Sequence, residues 1–88
     1  MTRTEILSSF EDLRNNCSAD AMFELSQACR SFRGRGRALM IELAECLEEM
    51  ESSFGADARM YSEAVDCALA VVARIEADWA ARSAAGRN

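Results

Sequence analysis

Four cysteines are the first residues here that could do chemistry, because four thiolates can close a structural zinc site. Cys17, Cys29, Cys46 and Cys67 stand 12, 17 and 21 residues apart. None belongs to a Cys-x-x-Cys knuckle, and the chain contains no His to complete a mixed site. The spacing favours thiols used as small buried apolar groups over metal ligands. No metal or cofactor is expected. A straight helix would hold Cys17 and Cys29 about 18 Å apart, too far for a disulfide. Cys46 and Cys67 flank a turn near Ala56 at almost equal distances. An antiparallel helical hairpin brings them level, so they are the pair expected to meet, as thiols or as a bond.

Carboxylates are the second candidate. Glu42, Glu45, Glu48, Glu49 and Glu51 crowd the latter half of one helical segment. Helical spacing puts Glu42, Glu45 and Glu49 in one outward stripe, opposite Leu43, Leu47 and Met50. Hydrolytic carboxylate pairs need a cleft and unequal surroundings, which a solvated stripe does not supply. A di-metal bundle would call for Glu-x-x-His motifs, and there is no His. The stripe reads as a polar helix face or a contact surface.

Arginine gives the sharpest local signal. Arg30, Arg33, Arg35 and Arg37 fall within eight residues of a chain whose formal net charge is -5. The segment carries +4, so the rest of the molecule carries -9. Such a separation makes the molecule a dipole that orients partners. The cluster can be exposed loop charge, can pair with the acidic helices of this chain or of a second copy, or can meet an outside acidic surface. Binding to nucleic acid is disfavoured, because the remaining charge repels a polyanion and a few phosphate contacts give limited affinity.

Catalysis has little to draw on. A Cys or Ser nucleophile needs a base and an orienting group, and His is missing. No glycine-rich phosphate loop follows a strand. An enzyme is therefore not expected. The first thirteen residues hold no apolar core of signal-peptide type, and the longest apolar run, Cys67 to Ala73, is too short to span a bilayer. A cytoplasmic chain with reduced thiols and no membrane contact is the expectation.

The elements that must position these residues are helices. Periodicity of 3.6 runs through the chain, alternation is missing, and there is no Pro to interrupt a helix. Of the hydrophobic half of the sequence, 16 residues are Ala and 4 are Cys, so the core must be small. An all-α fold is predicted: a small antiparallel bundle of about four helices, the last one longest, as a single domain over 1–82 with a frayed tail over 83–88. Thr2 and Glu5 suit a capping box, with Ile6, Phe10 and Leu13 behind them. Asn15 and Asn16 end the first helix through the left-handed conformation that Asn tolerates. Ser18 caps the second, which carries Met22, Leu25, Cys29 and Phe32, and Gly34 and Gly36 break it. Helix three carries Leu39, Met40, Leu43, Leu47, Met50 and Phe54, and Gly55 stops it. Asp57 caps helix four, which is expected to run to about Ala81. Its packed row is Tyr61, Val65, Ala68, Val72, Ile75 and Trp79, with Met60, Ala64, Cys67 and Val71 beside it. That helix should overhang its neighbour, with Trp79 in the overhang as a core residue against helix one or as an interface anchor.

These readings point to a non-enzymatic protein–protein interaction module: a small helical adaptor, chaperone or inhibitor. It would bury an apolar helix face against a protein partner, with segregated charge setting orientation. Arg30, Arg33, Arg35, Arg37, Glu42, Glu45, Glu49 and Trp79 are the candidate partner-binding residues. A homodimer is a natural state for so short a helical chain. The alternative is an acidic mimic of nucleic acid, such as a phage-encoded inhibitor occupying the basic channel of a bacterial defence complex of CRISPR type. A third reading is weak nucleic-acid binding through the arginines.

Overall fold

The computed structural model describes residues 1–85. Four helices follow in order: α1 (Arg3–Asn15), α2 (Ala19–Arg30), α3 (Arg37–Ser53) and α4 (Ala58–Ala85). No strand occurs among the described residues. The fold is the predicted all-α bundle with its last helix longest.

Local chemistry fixes the helix ends. Thr2 Oγ1 accepts from the Glu5 amide at 3.2 Å while Glu5 returns to the Thr2 amide at 3.0 Å, a complete capping box. Ser18 Oγ accepts from the Ala21 amide, and Asp57 Oδ1 accepts from the amides of Arg59 and Met60. Gly36 opens α3 at φ 85 and Gly55 closes its far side at φ 75, both in the left-handed region that suits glycine. Two stops work differently from expectation: α2 ends at Arg30, before Phe32 and the glycines expected to break it, and α1 ends without a left-handed Asn. Asn16 sits at φ -136, and among the described residues none but glycine has positive φ. α1 ends by an extended turn instead, because the chain must swing straight into the Ser18 cap.

Two packings dominate the layout, α3 against α4 and α2 against α3. α3 runs against α4, with Glu42 bonded to Arg74 and Cys46 beside Cys67. α1 touches α4 only lightly, through Arg3 stacked on Trp79 and, just past its end, Cys17 accepting from the Tyr61 hydroxyl. α2 packs on both α1 and α3. The result is a rod of 49 × 21 × 21 Å.

Each helix turns one stripe inward. Ile6, Phe10 and Leu13 come from α1, and Met22, Leu25 and Cys29 from α2. Met40, Leu43, Leu47 and Met50 come from α3. From α4 the buried set is Ala64, Ala68, Val71 and Ile75. This differs from the predicted row. Tyr61, Val65 and Val72 are only half-buried, and Trp79 is 46% exposed. The core axis of α4 falls between its two apolar rows, because α3 takes one side closely while α1 covers the other loosely.

The cysteines divide as well. Cys29 and Cys46 are buried, as expected, but Cys17 and Cys67 are exposed. Cys17 lies in the link between α1 and α2, and Cys67 lies on the rim of the α3–α4 seam. All four are free thiols. α4 continues past Ala81 to Ala85, so 83–85 are helical. The rest of the tail, 86–88, lies outside the described residues. Gly36 sits beside Asp78, so the overhang of α4 past α3 begins only after Asp78, later than its helix length alone suggested.

Candidate interaction surface

The arginine segment is a loop between α2 and α3, and its four side chains have different surroundings. Arg30 reaches across to α3 and grips Glu48 with two nitrogens, at 2.6 and 2.7 Å. That bidentate geometry holds the Glu48 carboxyl below its ordinary range and raises the guanidinium further. Arg37 turns back and donates from Nη1 to the Arg30 carbonyl at 2.9 Å and to the Phe32 carbonyl. It places a cation on the carbonyl end of α2, where the helix dipole favours one. Arg33 and Arg35 are exposed and take part in no ion pair among the described residues.

The carboxylates divide in the same way. Glu48 belongs to Arg30, and Glu42 pairs with Arg74 of α4 at 3.0 Å. Glu45 and Glu49 are exposed and form no ion pair among the described residues. Glu48, toward the carboxyl end of α3 where a helix dipole disfavours a carboxylate, and Glu42 are thus matched by bonds across the bundle. No local pattern announces those bonds, since Arg30 and Glu48 are 18 residues apart.

On the opposite flank, α1 stands off from α4 and leaves a groove of about 460 Å³. Leu7, Phe10, Leu69, Val72 and Ala73 supply its apolar wall, while Arg3, Glu11, Arg14 and Glu76 stand around it. Helix lengths explain the gap. α1, with 13 residues, spans about 20 Å, and α4, with 28, about 42 Å. One short helix cannot cover so long a flank. Trp79 stands at the end of this groove, with the Arg3 guanidinium 4.4 Å from its ring centre. The tryptophan is therefore an exposed platform and not a core residue.

Further apolar side chains lie outside the core. Phe23 is 52% exposed and Met60 57%. Phe54 stacks on Tyr61 at the α3–α4 turn, centroids 5.5 Å apart, and remains 39% exposed. Sequence reasoning placed Phe54 and Met60 on packed faces. Nothing local in the chain could tell that these rows end beyond their neighbours.

Three partly or fully buried groups are shifted upward. Burial pushes the Cys29 thiol up to about 12. Burial, the Cys67 thiol and the carboxylates of Glu49 and Glu42 push Cys46 up to about 11. Tyr61 rises to about 12 through burial and its bond to Cys17 at 3.4 Å. An activated catalytic nucleophile needs the opposite shift, and a thiol shifted upward exchanges only slowly. Among the described residues no three His, Cys, Asp or Glu side chains gather as a metal site requires. No described helix is long and apolar enough to cross a membrane.

No protein family, curated protein or solved structure matches this chain.

The surface therefore consists of three parts. Arg33 and Arg35 stand together on the loop, Glu45 and Glu49 on the outer face of α3, and Trp79 at the end of the α1–α4 groove. Arg30, Arg37 and Glu42, which the sequence grouped with them, are engaged inside the molecule.

Proposed function

We propose that this chain is a non-enzymatic binding module that docks another protein along the α1–α4 groove. One observation carries the reading: an open groove of mixed apolar and polar lining, with an exposed tryptophan one helical turn beyond Glu76 at its end. Trp and Arg dominate the energetics of protein interfaces, and Trp79 presents its ring already held by Arg3. The apolar side chains supply the area to bury, and Arg33 and Arg35 orient an acidic partner. The raised thiols and the lack of His favour binding over chemistry.

The acidic-mimic reading has less support. Two of the five carboxylates on α3 are matched by arginines of this chain, which breaks the one-signed stripe that a mimic needs. Nucleic-acid binding through the arginines is weakened likewise, because only Arg33 and Arg35 remain to meet phosphate.

The test is affinity capture from the native host with wild-type chain and with Trp79→Ala. A specific protein should be retained by the wild type and lost, or weakened by about tenfold or more, with the variant. Thermal stability should change little, since an exposed cation–π contact is worth about 0.5–1 kcal/mol. A partner held equally by both chains would move docking away from this groove.

A further inference from the structure

We propose that Cys46 and Cys67 form a redox modification site, a dithiol across the α3–α4 seam that exchanges with a small external disulfide and closes into an interhelical bond. The two thiols share one cleft with Glu42, Glu45, Glu49 and Arg74. They are close enough for Cys67 to add to the upward shift that burial gives Cys46. On α4, Ala64 and Ala68 beside Cys67 are small buried side chains, which lets neighbouring backbone approach, as a disulfide requires. The Glu42–Arg74 pair holds the helices together beside the thiols.

The two cysteines have distinct tasks. Cys67 is exposed and Cys46 is only 8% exposed, so the external disulfide meets Cys67 first. The Cys67 thiol loses its proton and its sulfur attacks one sulfur of the reagent. The reagent's S–S bond breaks, and the departing thiolate takes the bonding pair and a proton. Cys67 is now a mixed disulfide and carries no charge. The repulsion it exerted on a Cys46 thiolate is gone. Cys46 then ionises, attacks the Cys67 sulfur, and expels the second reagent thiol. Two protein thiols are oxidised to one disulfide, and one external disulfide is reduced to two thiols.

The other thiols do not compete for this bond. Cys29 is fully buried in the core. Cys17 is tied to Tyr61 at the α1–α2 link. The mouth of the cleft also selects its reagent. Three carboxylates and one arginine line it, so a cationic disulfide should react faster than an anionic one, and salt should reduce the difference.

The test uses the folded full chain and its Cys17→Ala variant, each treated with cystamine, bis(2-hydroxyethyl) disulfide or glutathione disulfide. Remaining thiols are blocked and the digests are mapped by mass. The expected product in both chains is a Cys46–Cys67 bond with Cys29 still reduced. Two equivalents of reagent thiol should be released from the Cys17→Ala variant. Cystamine should be the fastest and glutathione disulfide the slowest. A lasting mixed disulfide on Cys67 with Cys46 reduced would overturn the proposal. So would an unreacted Cys46 after Cys17 of the wild type is fully consumed. A rate order unaffected by reagent charge would remove the role given to the carboxylates.

Discussion

Arg30 and Glu48 form the best-made polar contact in the molecule, and they form it where a helix alone would not want it. Glu48 lies in the carboxyl-terminal half of α3, where the dipole disfavours a carboxylate. The bidentate grip of Arg30 offsets that penalty. Both side chains stay about 40% exposed, so solvent screens the pair and its stabilisation is modest. Its pH dependence has a definite sign. Glu48 titrates below its ordinary 4.5 in the folded chain. The contribution is complete above that unfolded value and is lost as pH falls through the lower folded one. Arg30→Ala should therefore lower the urea midpoint at pH 7, and the gap to wild type should shrink at pH 3. An equal gap at both pH values would assign the loss to packing of the arginine stem.

At the scale of elements, the α3–α4 seam is governed by alanine. Ala68 of α4 is fully buried and Ala64 nearly so. A larger side chain would have to push the helices apart. Ala68→Leu should cost about 1–3 kcal/mol. Ala70→Leu, on the exposed face of the same helix, should stay within about 0.5 kcal/mol. Chemical denaturation of the two variants checks the contrast. Helix ends were legible in the sequence because their causes are local: Thr2 with Glu5, Ser18, Asp57, and glycines at 36 and 55. The rotation of α4 was not. Its two adjacent rows are equally apolar, and only the closeness of α3 against the looseness of α1 decides which side chains go inward. Cys67 and Trp79 point outward for that reason. The ion pairs of Arg30 and Arg74 were hidden too, because they join helices that the chain brings together only after folding. Of the candidate surface, Arg33, Arg35, Glu45, Glu49 and Trp79 were legible as types worth watching. Their separation from Arg30, Arg37 and Glu42 was not.

For the whole molecule, the question is how charge and apolar surface divide the task of binding. The chain carries a net charge of -5, and Arg33 and Arg35 of the α2–α3 loop take part in no ion pair among the described residues. Arg33 and Arg35 are exposed, so their reach into solvent is set by the Debye length, about 8 Å at physiological salt and about 3 Å at 1 M. Their field guides approach and fades as salt rises. The groove between α1 and α4 is different in kind, because burial of Leu7, Leu69 and Val72 does not depend on ionic strength in that range. The two effects separate in kinetics. With the captured partner immobilised, raising salt from 50 to 500 mM should slow association severalfold and leave dissociation nearly unchanged. The Arg33→Ala/Arg35→Ala double variant should associate slowly at both salt concentrations, with its salt response flattened. Trp79→Ala should instead speed dissociation at every salt concentration. If dissociation of the wild type accelerates steeply with salt, the contact is carried by Glu45 and Glu49 against a basic surface, and the acidic-mimic reading takes precedence over the groove.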